Sequence, residues 1–460
     1  MYSNEFKGAP QKPDLLLRSY MVGRVLLRPS PPTIQHIYTY QIKKSVQSQG
    51  DRAVMSYCMR HFPIIVKLLA WMKIQTLKIL VWKLSFFWPW RRRLKRVLII
   101  QPLHLGDVLV NLSPIQNLCD FYHARGYEIS ILVTPFVKPL AEACPLFDNV
   151  LGYHILRKDF SFQTKYDLFC KLYNDRYEIV VCPFFGASTL FYFISTIVII
   201  CRPVLSCAAV NNEQPTMQLF PPGQYLHRDR WPNRYTLLLK DYSPSIFECI
   251  HHLCEKFCGQ SFPLMLYSRG FGQLPKISLP SNYYVIVPGA GTRRPWPMKR
   301  QAELITRIHQ KWPGLTPVLT GGNGEQKYGE EIRSHLSESL HVIDKIGDST
   351  LLELASIIKD AHFVVSNDTG PSHLAPLLNT KSVVISGAWH IGRYHPNPLY
   401  VNSRCILHSK DCAGCGSAPC PYTRDGVDLC IAEITVDEVM DEIKRIARLH
   451  HGNPYDRGTN

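Results

Sequence analysis

No apolar run in this sequence is both long enough and free enough of charge to cross a membrane as a helix. The longest, at 62–90, is interrupted by four lysines, and each would cost about 2.5 to 3.5 kcal/mol at the centre of a bilayer. A second run, at 190–201, is too short to span a bilayer and is predicted to be a buried helix or strand. The first 30 residues lack a continuous apolar segment, so no secretory signal peptide is expected.

Two phosphate-binding patterns are also missing. No G-x-x-x-x-G-K-[ST] segment occurs, which argues against P-loop nucleotide hydrolysis. No two aspartates are separated by a single residue, so an Asp-x-Asp clamp for a metal–diphosphate pair is absent. The 15 cysteines are scattered and mostly lie singly in apolar runs, which is typical of reduced buried thiols and not of a secreted disulfide scaffold. A reducing compartment is therefore expected.

Acidic residues are scarce in residues 1–96, which contain three of them and 18 lysines and arginines. This segment carries a net charge of +15 and the rest of the chain only +1, so the sequence does not indicate a nucleic-acid partner. Within it, apolar residues at helical spacing predict an amphipathic helix; they are Ala70, Ile74, Leu77, Val81, Leu84 and Trp88. Such a helix beside an arginine cluster suits an anionic membrane surface, contacted by 62–96. A helix packed on protein, with solvated lysines, is the alternative.

From residue 96 onward, short strands alternate with helices, as expected for an α/β protein with parallel sheets covered by helices on both faces. A loop is predicted at 215–234, and a helical segment follows it to about Cys258. Two such domains would face each other across a cleft. The predicted divisions are a basic extension at 1–95, an N-terminal domain at 96–262, a linker at 263–280, a C-terminal domain at 281–450 and a tail at 451–460.

Asp107 is the first candidate for a catalytic residue. It lies in the segment HLGDVLV, after a short apolar strand at 97–100 and at the start of a predicted amphipathic helix. Ligands of open α/β sheets bind beyond the carboxyl ends of the strands, so an acid at this position faces a cleft. Capping of the helix is the alternative role, because aspartate is a preferred N-cap residue.

Three further strand ends carry glycine. They are PGAGT at 288–292, GGNG at 321–324 and NDTGP at 367–371. Each alone is a weak signal, but their order within about 90 residues is more specific. Backbone amides at a helix start, together with an arginine or lysine across a cleft, suit a diphosphate group.

Taken together, these segments resemble the glycosyltransferase family 9 proteins, the lipopolysaccharide heptosyltransferases, over about 96–447. The resemblance implies a GT-B fold with two Rossmann-like domains and an inverting transfer that requires no metal or other cofactor. It also implies an ADP-activated heptose or related sugar as donor and a lipid-linked, lipopolysaccharide core-like acceptor. The location implied by such an acceptor is cytoplasmic, peripheral at the inner face of the bacterial cytoplasmic membrane.

The resemblance assigns roles to residues at both predicted helix starts. Asp107 would be the general base, and its place at a helix start is expected to favour the carboxylate. Asp368 would contact the donor sugar, while the amides around Thr369 and Gly370 would hold the diphosphate. His373, one turn further on, would reach the phosphates or, alternatively, pack in the core.

One motif departs from the family pattern. The family usually has Lys-x-Trp-Pro where this chain has Arg294 at the first position, and the preceding loop is short. Arginine keeps the charge and can bind phosphate through two hydrogen bonds, so it would still stabilise the leaving group. The shortened loop leaves open whether Thr292 faces the diphosphate and whether Arg293 takes the place of Arg294. Glu325 would contact the nucleoside or, alternatively, only complement the helix dipole.

The spacing of four C-terminal cysteines suggests a structural zinc or other metal cluster; they are Cys412, Cys415, Cys420 and Cys430. Cys405, just upstream, is a fifth cysteine that could belong to the group. The family has similar cysteines without needing a metal for catalysis. The last predicted helix, at 435–449, begins with Thr435 as its N-cap.

Three other functions remain open at this point. A GT-B transferase could use a UDP- or GDP-sugar, and an epimerase would isomerise a sugar nucleotide without any acceptor. A non-catalytic binding or scaffold protein would keep the fold and transfer nothing; the replacement of lysine by Arg294 is its only support.

Overall fold

The computed structural model describes residues 94–154, 162–183, 205–210, 235–240, 245–290, 295–414, 420 and 422–448. All of them belong to one compact unit, 88–460. The amphipathic helix expected within 62–90, the apolar run at 190–201 and the loop at 215–234 lie outside these residues. None of the helices in the described ranges combines the length and apolarity needed to cross a membrane.

Two parallel six-stranded sheets form the framework. The first contains β1 (Leu94–Gln101), β2 (Glu128–Val133), β3 (Asn149–Gly152), β4 (Tyr177–Cys182), β5 (Leu205–Val210) and β6 (Tyr235–Lys240). The second contains β7 (Tyr283–Val287), β8 (Thr316–Gly321), β9 (Ile343–Ile346), β10 (Val364–Asn367), β11 (Ser382–Ile385) and β12 (Ser403–Ile406). A small antiparallel hairpin, β13 (Thr423–Arg424) and β14 (Val427–Asp428), follows them.

Both sheets have the same strand order. It is β3-β2-β1-β4-β5-β6 in the first and, read from its other edge, β9-β8-β7-β10-β11-β12 in the second. In each sheet the direction of winding therefore reverses between the first and the fourth strand of that sheet. Loops that leave the strand ends at this reversal diverge and open a crevice, which is where open α/β sheets bind ligands. The predicted site segments follow β1, β7, β8 and β10, so three of the four lie at these reversals.

The helices cover the sheets. They are α1 (Leu105–His123), α2 (Lys138–Glu142), α3 (Phe162–Asp175), α4 (Ile246–Cys258), α5 (Met298–Lys311), α6 (Gln326–Ser334), α7 (Leu351–Asp360), α8 (Gly370–Leu377), α9 (Leu429–Ala432) and α10 (Val436–Arg448). One apolar cluster contains side chains from both sheets, such as Ile99 and Val285, and separate clusters fill the outer face of each sheet.

Helix α1 was expected to be amphipathic, and that expectation is wrong. Every residue from Val108 to Cys119 is buried, because α1 packs against its own sheet and α4 on one side and against α8 on the other. Its polar residues bind the backbone of the predicted linker: Asn117 donates to the carbonyl of Pro263, and Gln116 donates to that of Met265. This connecting segment, which has no helix or strand, is thereby fastened to the core.

Most elements lie within a few residues of their predicted bounds, but one was assigned to the wrong class. Residues 235–240 form the edge strand β6, not the start of a helix, whereas the predicted helix ending at Cys258 begins only at Ile246. The pairing of β6 with β5 makes this segment a strand, and such a pairing cannot be recognised from six residues of sequence alone. The predicted cap of α10 is confirmed, since Thr435 Oγ1 accepts a hydrogen bond from the Glu438 amide at 3.3 Å.

Candidate active site

The starts of α1 and α8 lie against each other, which brings the two most specific sequence motifs together. A Cβ atom placed on Gly106 would lie 3.7 Å from the Gly370 amide nitrogen and 3.2 Å from Cδ2 of His373. A Cβ on Gly370 would lie only 2.7 to 3.1 Å from side-chain atoms of Leu105. Glycine at both positions therefore permits the close approach of two positively polarised helix ends, where backbone amides favour an anion.

The contact between these helices predicts that Gly370→Ala will destabilise the protein. The new methyl group would overlap Leu105, including its Cβ atom, and overpacking of this kind costs about 1 to 3 kcal/mol. Urea unfolding at pH 7 measures the loss. Gly314→Ala is the matched control, because a Cβ there meets nothing within 4 Å. Equal stability of the Gly370→Ala and wild-type proteins would contradict the close packing of the two helices.

Asp107 lies in the first turn of α1, half-buried between the two sheets. Its carboxylate accepts a hydrogen bond from the backbone N–H of His104, the N-cap residue, and its Oδ1 accepts another from the hydroxyl of Tyr394 at 3.0 Å. The first bond joins an acid of the first turn to the N-cap amide, but Asp107 is not itself the N-cap, because His104 occupies that position. The second comes from the loop after β11, far away in the sequence, and has no capping purpose.

The expectation that the helix start favours the ionised form of Asp107 is outweighed by another effect. Burial raises the pKa of this carboxyl, and the hydrogen bond from Tyr394, together with the interactions with His104 and Arg393, only partly opposes the rise. A carboxylate whose pKa has been raised binds a proton more strongly. Asp107 is thus better suited to accept a proton than an exposed aspartate is.

Asp368 follows β10 directly, and its backbone and side chain are both held. Its amide donates to the carbonyl of Ile385 at 3.0 Å, and Ser386 donates its hydroxyl to Oδ2 at 3.1 Å. The other oxygen, Oδ1, lies 3.9 Å from Nε2 of His373 and 3.8 Å from Nε2 of His395. The Ser386 hydroxyl binds Oδ2, and both histidines face the other oxygen, Oδ1.

His373 and His395 form a buried, stacked pair, with ring centroids 4.4 Å apart and planes 8° from parallel. Burial lowers the pKa of both imidazoles, and each ring is therefore neutral at neutral pH. His373 Nδ1 lies 3.3 Å from the Tyr400 hydroxyl, and His395 Nε2 lies 2.9 Å from Ser372 Oγ. The 3% exposure of His373 corresponds to the core alternative rather than to an open phosphate contact.

The trio of Asp368, His373 and His395 has a composition that could ligate a metal, since its ligand atoms lie within 4.8 Å of one another. The ring geometry does not favour one. Imidazole binds a metal along its in-plane lone pair, and two stacked parallel rings direct these lone pairs side by side instead of toward one point. The arrangement suits hydrogen bonding better than coordination.

Asn367 is a site residue to which the sequence analysis gave no role. Its Oδ1 accepts the Trp296 amide at 2.9 Å, and its Nδ2 donates to the carbonyls of Val287 and Pro288 at 3.2 and 2.8 Å. These bonds join the end of β7 to Trp296, just before α5. A buried polar residue at the carboxyl end of an apolar strand is the sequence signal that could have identified it.

Glu325 lies at the turn after β8 and packs against glycine. Its Oε2 accepts the Gly322 amide at 2.7 Å, and a Cβ atom on Gly289 would lie 1.9 Å from its Oε1. The side chain therefore joins the turns that follow β7 and β8. Thr369 is the N-cap residue of α8, and its amide donates to Ser372 Oγ at 3.4 Å.

Several predicted residues lie outside the described ranges, namely Thr292, Arg293, Arg294 and Cys415. Of the remaining cysteines in the proposed cluster, Cys420 donates its thiol to the Tyr422 carbonyl at 3.3 Å. Burial raises the pKa of the Cys430 thiol, and the neighbouring Cys420 adds to the rise. The metal cluster stays a prediction.

The sequence also predicted no role for Tyr394, His395 or Ser386. Tyr394 and His395 belong to the stretch between β11 and β12, which has no recognisable motif, and only the fold brings them to Asp107 and Asp368. Two sheets of Rossmann order, with a half-buried acid on one and a glycine-containing helix start on the other, give the chain the GT-B fold.

Known proteins of similar sequence agree with this fold. The model of "Glycosyltransferase family 9 (heptosyltransferase)" matches residues 266–424. Lipooligosaccharide heptosyltransferase 2 of Haemophilus ducreyi is 22% identical over 365 residues, which cover 76% of this chain and 99% of the relative. The chain is therefore similar to the family 9 heptosyltransferases, through the family model in its C-terminal part and through this relative over 76% of its length.

Two solved structures share the fold. The E. coli ADP-heptose lipopolysaccharide heptosyltransferase II is 19% identical with a TM-score of 0.56, and the match covers 76% of this chain and 98% of that one. An E. coli heptosyltransferase solved with ADP is 16% identical with a TM-score of 0.51, again over 76% and 98% of the two chains.

Proposed function

We propose that this protein is an inverting, metal-independent glycosyltransferase that moves a heptose or related sugar from an ADP-sugar to a lipid-linked, lipopolysaccharide core-like saccharide. The observation that carries the proposal is the position of Asp107, whose carboxylate has a raised pKa and lies where the starts of α1 and α8 meet. A proton acceptor and an anion-binding helix end are thereby adjacent.

In this mechanism Asp107 takes the proton from an acceptor hydroxyl as that oxygen attacks the anomeric carbon. The bond from the anomeric carbon to the diphosphate oxygen breaks, and its electron pair leaves with ADP. Attack on the face opposite to the leaving group inverts the configuration. The Gly370 amide and the Arg294 guanidinium would stabilise the charge that develops on the diphosphate, and the Thr369 amide would do so only by giving up its bond to Ser372 Oγ.

Metal independence is proposed because this positive charge can come from the protein. The helix start at Gly370 contributes partial positive charge, and Arg294 contributes a full one. In the part of the chain that the structure describes, the carboxylate–histidine group around Asp368 has stacked rings that suit coordination poorly.

The ADP-sugar is proposed by analogy with the E. coli heptosyltransferase that was solved with ADP. The lipid-linked acceptor is proposed because the net charge of +15 lies in residues 1–96, a composition suited to an anionic membrane surface. A peripheral position at the inner face of the bacterial cytoplasmic membrane follows from that acceptor and is part of the same proposal.

Melting temperatures with ADP, AMP, UDP, GDP and CMP test the donor site. ADP at about 100 times its dissociation constant should stabilise the native state by about 2.7 kcal/mol, and AMP, which lacks the second phosphate, should stabilise it less. A larger shift with UDP or GDP would reassign the donor. If no nucleotide shifted the melting temperature, the non-catalytic alternative would replace this proposal.

A further inference from the structure

Tyr394 reaches across from the second sheet to the acid on the first. It lies in the loop between β11 and β12, and its hydroxyl donates to Asp107 Oδ1 at 3.0 Å. The guanidinium of Arg393 hydrogen-bonds the same hydroxyl, and the carbonyl of Arg393 accepts the amide of Ile246 at 3.0 Å. The loop is therefore anchored at the start of α4 while its tyrosine holds the carboxylate.

The chemistry of this contact is that of a hydrogen-bond donor. Burial raises the pKa of the Tyr394 hydroxyl, so it remains protonated and does not relay the proton that Asp107 would accept. A hydrogen bond to a carboxylate favours its ionised form, which opposes the effect of burial. Because Oδ1 is bound, the carboxylate also has a defined orientation about its last torsion angle.

We propose that Tyr394 is a positioning residue for Asp107, which keeps the carboxylate oriented and ionised from the opposite half of the molecule. The inference rests on the proposed function, in which Asp107 is the general base. The other titratable groups facing Asp107 are Arg393 and the His104 imidazole, while the buried His373 beside Gly106 is neutral. Tyr394 is the residue whose hydroxyl touches the carboxylate.

Tyr394→Phe removes the hydroxyl and keeps the ring. The acid limb of the pH profile of kcat, measured as ADP release from ADP-heptose with heptose-free lipopolysaccharide, should move to higher pH by roughly one unit. The direction follows because loss of the bond removes one of the interactions that oppose the effect of burial, and the pKa of Asp107 therefore rises further. KM for the donor should change less than kcat, because Tyr394 acts on the base.

Tyr283→Phe is the matched control. Tyr283 is buried, and its hydroxyl donates to the Ile357 carbonyl at 2.8 Å, away from Asp107. This variant should leave the acid limb unmoved even if its melting temperature falls. A purely structural role for Tyr394 would make the two variants alike, with reduced stability and unchanged profiles.

A second measurement needs neither donor nor acceptor. In protein labelled with ¹³C at the aspartate carboxyls, the Asp107 resonance is the one absent from Asp107→Asn. Its titration midpoint should rise by roughly one pH unit in Tyr394→Phe and stay in place in Tyr283→Phe. An unmoved midpoint in Tyr394→Phe would overturn the proposal. Full transfer by Asp107→Asn would instead overturn the assignment of the base, and the two failures are therefore distinct.

Discussion

Replacing Asp107 with asparagine is expected to lower kcat for sugar transfer by roughly 100- to 10,000-fold, the usual contribution of a general base. The amide has nearly the same shape as the carboxylate, and its oxygen can still accept the hydrogen bond from Tyr394. What it cannot do is take a proton. Nucleotide-induced shifts in melting temperature should persist, because the donor site is left intact.

The same variant should be as stable as the wild-type protein at pH 7, or more stable. The pKa of Asp107 is higher in the folded than in the unfolded protein, so the folded state favours the protonated form. That contribution is present below the unfolded pKa of about 3.9 and is lost as the pH rises through the raised value. Asparagine does not ionise, so the stability of Asp107→Asn does not fall in this way as the pH rises. Urea unfolding of both proteins between pH 3.5 and 7 measures the difference in their stability.

Asp120→Asn provides the control on the same helix. Asp120 pairs with Arg269 at the surface, and its replacement should leave kcat unchanged. If Asp107→Asn kept its activity and lost stability, the carboxylate would be a helix cap and nothing more.

Asn367→Ala is expected to lower the free energy of unfolding by roughly 2 to 5 kcal/mol, because it leaves buried backbone groups without partners. The asparagine is 2% exposed. Its side-chain oxygen accepts the backbone N–H of Trp296, and its side-chain nitrogen donates to the carbonyls of Val287 and Pro288. Because those groups flank Arg294, we also expect the stabilisation by ADP to decrease. Urea unfolding, with and without ADP, measures both effects.

Asn402→Ala is the matched control for this loss. Asn402 donates to Asn379 Oδ1 at 2.7 Å, but it does so at the surface, where water can replace the partner. Its removal should change the unfolding free energy by less than about 0.5 kcal/mol. An Asn367→Ala protein that unfolded at the wild-type urea concentration would show that other contacts hold Trp296 against the end of β7.

The comparison of sequence and structure separates local from distant effects. The strands β1, β7 and β10 were predicted because each is a short apolar run that ends in a turn motif, a pattern contained within a few residues. The edge strand β6 was missed, and α1 was expected to be amphipathic. Both errors arose because the partner of the element, a neighbouring strand or a second packed helix, is remote in the sequence.

The site divides in the same way. Asp107, Asp368 and Gly370 could be selected from the sequence because each follows a strand and opens a helix, and the resemblance gave them roles. The pKa of Asp107 could not, since its direction depends on how much water the surrounding fold excludes. Nor could the stacking of His373 on His395, which requires a loop from beyond β11.

By itself, the sequence determined the α/β alternation, the concentration of positive charge in residues 1–96 and the motifs that open α1 and α8. Only the tertiary structure decided that these two helix starts touch and that Tyr394 holds Asp107 across 287 positions of the chain. Local patterns record the burial and backbone preferences of neighbouring residues. Contacts between distant residues depend instead on the packing of whole sheets and helices, and that packing sets the orientation and ionisation of the candidate base.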